Sequence, residues 1–245
     1  MQTPLARPRV LALWSAPRAR STAFFRSMVE RGEFTALHEP FCNLVDYGAT
    51  TVGEAEVRTG PELIAAIRGH ARTRPVFFKD TTDYRYPEVL ADAAFLRETR
   101  HAFLIRHPDE IAASYYALKP DMTRDGIGLE QMSELYQAVL AAGGRAVVLD
   151  AEDLAARPDA TLAAYCAWAG IEHRPETLSW QPGARAEWER SNRWHQSVAN
   201  SSGFDARRTE YADTVENNPR LAEFSAHHLP FYEALRERRL PVPVA

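Results

Sequence analysis

Short apolar runs alternate with stretches of helical spacing along most of the chain. Val10-Leu11-Ala12-Leu13-Trp14 is a continuous apolar run between Pro8 and Pro17, the pattern of a strand buried on both faces. Thr35–His38, Pro75–Phe78, His101–Ile105 and Ala146–Leu149 read as four further strands. Pro40 stops the first of these, and His107-Pro108 ends the third. Ser21–Arg31 sets Phe24, Phe25 and Met28 on one side of a helix. Pro61–His70, Pro108–Leu118 and Pro158–Ala169 read as helices too. Pro61 lies near a first turn, Asp109 and Glu110 sit where the helix dipole favours acids, and Gly170 stands in the C′ position.

This alternation predicts an α/β fold, a parallel central sheet flanked by helices on both faces. Ligands of such sheets sit beyond the carboxyl ends of the strands. The chemistry is therefore expected just after Trp14, His38, Phe78 and Ile105. From about Ser179 the pattern loosens. Residues 179–220 carry Trp180, Trp188, Trp194 and several arginines and turn residues, and read as a lid over the site. Residues 221–239 read as a closing helix, and residues 1–245 as a single domain.

Composition narrows the function. The formal charge of −4 gives no reason to expect a nucleic-acid surface, so any anion site must be a local cluster. Lys79 and Lys119 are the only lysines, so arginine carries the positive chemistry. Two cysteines, Cys42 and Cys166, make neither a disulfide framework nor a zinc site and fit a reducing cytoplasm. No signal-peptide pattern is seen, and no apolar run approaches the ~18 residues that span a membrane. No convincing metal-ligand spacing is found, and a homodimer is left open.

Two constellations carry the candidate chemistry. In Pro17-Arg18-Ala19-Arg20-Ser21-Thr22 a buried strand turns into a helix that starts with two hydroxyls and two flanking arginines. Free N–H groups at a helix start, the dipole and the guanidinium groups together make an anion cradle. The Walker A pattern is absent. In Leu104-Ile105-Arg106-His107-Pro108-Asp109-Glu110, followed by Ser114, an arginine sits at a strand end and a serine falls on the next helix. An arginine fork suits a dianionic phosphate.

The two motifs, in this order, resemble those of cytosolic sulfotransferases that use 3′-phosphoadenylyl sulfate (PAPS), of bacterial type, with a P-loop nucleotide-kinase-like fold. The first resembles the family's 5′-phosphosulfate loop, Pro-Lys/Arg-Ser-Gly-Ser/Thr-Thr, at Pro17, Arg18, Ser21 and Thr22. It departs at Ala19 and at Arg20, which stands where glycine usually frees the turn. Ala23 replaces the tryptophan that packs on adenine in mammalian-type members. The second resembles the 3′-phosphate motif, with Arg106 and Ser114 as ligands. Val147–Leu154 with Arg157-Pro158 resembles a further family segment, and Gly183 with Arg185 loosely resembles the late loop that closes over the 3′-phosphate.

The resemblance implies PAPS as donor, 3′,5′-bisphosphoadenosine (PAP) as product, no required metal and a small-molecule hydroxyl acceptor. It implies Arg18 as the charge that stabilises the leaving phosphate. Mammalian-type members carry a catalytic histidine where this chain has Thr81. The candidate bases are then Glu39 first, in a segment similar to one of bacterial members, followed by Asp80 and His38, with Asp83 behind. Lys79 is a candidate contact for the sulfuryl oxygens. Tyr84, Tyr86, Tyr115 and Tyr116 hint at an apolar or aromatic acceptor pocket. Two other readings fit parts of the pattern: a nucleotide-dependent kinase of shared topology, and a nucleotide-binding regulator without catalysis.

Overall fold

The computed structural model describes residues 9–183, 185, 187–188, 194–205 and 209–243. The parts of the expected lid at 184, 186, 189–193 and 206–208 lie outside the described residues. The strands are β1 (Val10–Ser15), β2 (Thr35–His38), β3 (Thr50–Val52), β4 (Ala55–Val57), β5 (Val76–Thr81), β6 (Arg100–Ile105) and β7 (Arg145–Asp150). The helices are α1 (Ser21–Glu30), α2 (Pro40–Tyr47), α3 (Gly60–His70), α4 (Pro87–Ala91), α5 (Ala93–Glu98), α6 (Pro108–Tyr116), α7 (Leu129–Ala141), α8 (Ala151–Ala156), α9 (Pro158–Ala169), α10 (Gln196–Ala199) and α11 (Pro219–Arg236).

Five parallel strands form the central sheet in the order β2-β5-β1-β6-β7. Every residue of β1, β5 and β6 is buried, as continuous apolar strands covered on both faces require. From β1 the chain first builds outward through β2 and β5, then crosses to β6 and β7. The order reverses beside β1, and the crevice at such a switch point is where open α/β sheets bind ligands.

Two helices correct the sequence reading. Pro40 does not merely stop β2; it opens α2 at the first-turn position where proline costs no hydrogen bond. Helix α7 was not expected, although its buried Leu129, Met132, Leu135, Tyr136 and Val139 follow helical spacing. The closing helix runs from Pro219 to Arg236 and packs against α6 and α7. β3 and β4 add a small antiparallel hairpin outside the main sheet.

Under the sheet, the indole of Trp14 donates to His101 Nδ1 at 3.0 Å, and His101 Nε2 lies 3.1 Å from the Leu96 carbonyl. The ring therefore sits as the neutral tautomer with its proton on Nε2. Burial holds its pKa down to about 3. The unfolded chain binds this proton near pH 6.5 and the folded chain does not, so stability is lost as pH falls below that value. From pH 7 to pH 5 this histidine alone costs about 2 kcal/mol. The thermal midpoint is expected to drop over that interval. His101→Gln, which can keep both hydrogen bonds without titrating, is expected to make the drop shallower.

Candidate functional site

The loops at the carboxyl ends of β1, β2, β5 and β6 open onto one cavity of about 760 Å³. Each loop contributes a residue that the sequence singles out: Arg18, Arg20, Ser21, Thr22 and Ala23 after β1, Glu39 after β2, Lys79 on β5, and Arg106 with Ser114 after β6.

Between β1 and α1 the backbone makes a tight turn in which Arg18 and Arg20 take φ values of 62° and 63°. Arg20 thus adopts the left-handed conformation that glycine would supply, at a strain of order 1–2 kcal/mol. It is the N-cap of α1, and its own side chain makes no capping hydrogen bond. Its Nη1 donates to the Asp205 carbonyl at 2.5 Å. Arg106 braces the same turn, with Nη1 donating to the Arg18 carbonyl at 2.7 Å and Nη2 to Glu110 at 2.9 Å. Arg106 Nε is buried with no hydrogen-bond partner. Burial lowers the Arg106 pKa, with the neighbouring charge of Arg20 adding to it. Three arginines crowd one cavity, and Arg106 is paired there with Glu110; such a concentration of positive charge calls for an anion.

The structure joins the two motifs through Ser114. Arg18 Nε donates to Ser114 Oγ at 3.1 Å, and Nη1 to the Trp194 carbonyl at 3.0 Å. Among the described residues Arg18 Nη2 makes no hydrogen bond. The Tyr211 hydroxyl donates to the same Ser114 Oγ at 2.9 Å. Thr22 Oγ1 lies 2.9 Å from His195 Nδ1. Tyr211 and His195 both line the cavity from the segment without periodicity, and Tyr211 was not singled out by the sequence. Phe204 lines it as well, in edge contact with Trp180.

The opposite side of the cavity is anchored by Asp80. Its carboxylate accepts from Phe41 N at 2.6 Å and Cys42 N at 3.2 Å, the first free N–H groups of α2, and from Thr81 N and the Tyr86 hydroxyl. Asp80 is fully buried, and burial with the nearby charge of Glu39 pushes its pKa up to about 8. It does not face the cavity; its role here is to cap α2 from the adjacent strand. That anchoring sets the N-cap, Glu39, at φ 50° and ψ 48°, with its N–H on the Lys79 carbonyl at 2.6 Å. The Lys79 ammonium, buried beside it, donates to Glu39 Oε1. His38 lies behind this pair and outside the cavity lining, with Nδ1 3.7 Å from Glu39 Oε2. Burial and the charge of Lys79 hold its pKa well below the usual histidine range. His195 is held down to about 2, by burial and then by His38. Donor atoms of His38, Glu39 and His195 lie within 4.8 Å of one another, but Lys79 already gives Glu39 a positive partner.

Other expected contacts fall elsewhere. Ala19 is buried in the turn and lines nothing. Gly183 donates its N–H to the Ala199 carbonyl, and Arg185 pairs with Glu187 at 3.2 Å; neither reaches the cavity. Tyr84 and Tyr115 line it, whereas Tyr86 is used up by Asp80 and the Thr81 carbonyl.

Residues 9–239 match the sulfotransferase domain family. The chain belongs to that family. It is 24% identical over 260 residues to branched-chain-amino-acid aminotransferase-like protein 1 of Arabidopsis thaliana, covering 98% of this chain and 45% of that protein. It is 26% identical over 208 residues to aminotransferase-like protein 2 of the same plant, covering 80% of this chain and 36% of that protein. The chain thus spans less than half the length of these relatives. In fold, this sulfotransferase-family chain is similar to the sulfotransferase domain of the Synechococcus PCC 7002 olefin synthase, with TM-score 0.52, 15% identity, and 93% and 98% of the two chains covered. It is equally similar to a sulfotransferase from Alicyclobacillus acidocaldarius, with TM-score 0.52, 15% identity, and 96% and 98% covered. No described helix is long and apolar enough to cross a membrane.

Proposed function

We propose that the protein moves a sulfuryl group from PAPS to a hydroxyl of a small molecule. The observation that carries this reading is the convergence of Arg18, Arg20 and Arg106 on one cavity at the start of α1, with Arg106 Nε buried and unpartnered. That set fits a ligand with two separated anionic groups. Arg106 and Ser114 take the 3′-phosphate. The α1 N-terminus, Thr22 and Arg20 take the 5′ group. Ala23, Val198 and Phe204 form the apolar wall against which adenine packs, in place of the family's usual tryptophan.

When bound, PAPS supplies the sulfuryl group and an in-line leaving phosphate. Glu39 accepts the acceptor's hydroxyl proton as the new oxygen–sulfur bond forms, and later releases it to solvent. Lys79 holds the Glu39 carboxylate in place and faces the sulfuryl oxygens. Arg18 offers Nη2 to the negative charge that grows on the leaving phosphate as the old sulfur–oxygen bond breaks. Asp80 is a positioning residue, since it sets the backbone of Glu39.

A calorimetric comparison of PAP with ADP, with and without magnesium, tests the reading against a kinase. PAP is expected to bind more tightly, without metal. Tighter binding of magnesium-ADP would sink the assignment. Arg20→Gly is expected to weaken PAP about tenfold, the worth of one charge-assisted contact, while relief of the left-handed strain, about 1 kcal/mol, offsets part of the lost contacts of Arg20 to the fold. Unchanged PAP affinity in this variant would remove Arg20 from the anion site.

A further inference from the structure

The far end of the cavity, beyond the Glu39–Lys79 pair, has a chemistry of its own. Two carboxylates line it, Asp46 at the rim and Asp83 deeper in, and neither takes part in an ion pair among the described residues. Asp46 accepts from the Tyr84 hydroxyl at 2.8 Å and from the Cys42 thiol at 3.5 Å. Asp83 accepts from the Tyr115 hydroxyl through Oδ2 at 3.3 Å, and the Thr81 side chain also lies against its carboxylate, whose Oδ1 is shut off from solvent. Burial raises the Asp83 pKa, the direction of a carboxylate short of positive charge. Lys119 also lines this end but pairs with neither carboxylate. Tyr47, Tyr84 and Tyr115 complete the wall with aromatic rings. Two carboxylates without an ion-pair partner among the described residues, set in an aromatic recess, make a receptor for an organic cation, which gains both charge pairing and ring-face attraction.

We propose that the acceptor is a hydroxyl compound that carries an ammonium group, received by Asp83 and Asp46 while its hydroxyl faces Glu39. This rests on the sulfotransferase reading and names the substrate class of that site. Neutral alcohols and phenols lack the charge that Asp83 demands, and acids are repelled by both carboxylates.

The test is calorimetric titration of the PAP-saturated protein with matched compounds: tyramine, 4-ethylphenol and 3-(4-hydroxyphenyl)propionate, and separately choline and 3,3-dimethylbutan-1-ol. The ammonium member of at least one set is expected to bind about tenfold or more tightly than its neutral isostere. Asp83→Asn is expected to bring that ratio to within about twofold of unity, with PAP affinity kept as the sign of an intact fold. No ammonium preference in either set, tighter binding of the acid, or a preference that survives Asp83→Asn would overturn the proposal. Failure of PAP itself to bind would instead remove the sulfotransferase reading. The acceptor titrations are run without PAP as well, so the two ideas fail separately.

Discussion

Glu39→Gln is expected to lower the rate of sulfate transfer by about 10²–10⁴-fold, the size of a lost general base, with PAP affinity nearly unchanged. Glutamine keeps the shape of the side chain but cannot take the acceptor's proton. The substitution has a second effect. It leaves the Lys79 ammonium, 2% exposed, without its carboxylate. Breaking one side of a buried pair costs about 3–5 kcal/mol, so the single variant is also expected to melt earlier. Lys79→Met combined with Glu39→Gln separates the two effects. The double variant should regain stability, because no unpaired charge remains, yet stay inactive. An active double variant would take Glu39 out of the chemistry and leave it as a counter-ion for Lys79.

Arg106→Ala is expected to weaken PAP by about 30–150-fold, the worth of one charge-assisted phosphate contact of about 2–3 kcal/mol. The same substitution should barely affect 5′-AMP, which lacks the 3′-phosphate. This selectivity matters because Arg106 also braces the strained turn through the Arg18 carbonyl. If bracing were its main role, PAP and 5′-AMP would weaken alike. Arg106→Lys should fall between wild type and alanine, since a lysine keeps the charge but not the planar fork. Equal loss for both nucleotides would assign Arg106 to the loop rather than to the ligand.

The central sheet was legible because its strands are nearly pure apolar runs bounded by turn residues, and β1 is the clearest case. Helix α2 was hidden because Pro40 serves equally as a strand stop and as a helix start, and local sequence does not choose between them. The choice is made by Asp80, which caps α2 from the adjacent strand. Asp80 and Glu39 look like equivalent acids at strand ends. Only tertiary structure turns one into a buried cap and the other toward Lys79. Arg18, Arg20, Arg106 and Ser114 were singled out from motif spacing, and the sheet topology brings them to one cavity. Tyr211 was not, because it arrives on a segment with no periodic pattern to place it. The departure at Arg20 has a plain physical form: the residue accepts the positive φ itself, in a turn held by Arg106.

Transfer of labelled sulfate from PAPS to a panel of hydroxyl compounds, by wild type and Arg106→Ala side by side, bears most directly on the whole account. Labelled product with wild type, requiring no added metal and falling at least tenfold in the variant at sub-saturating PAPS, is the predicted result. A wild-type protein that binds PAP yet labels no acceptor, or transfer that is indifferent to Arg106, would contradict it.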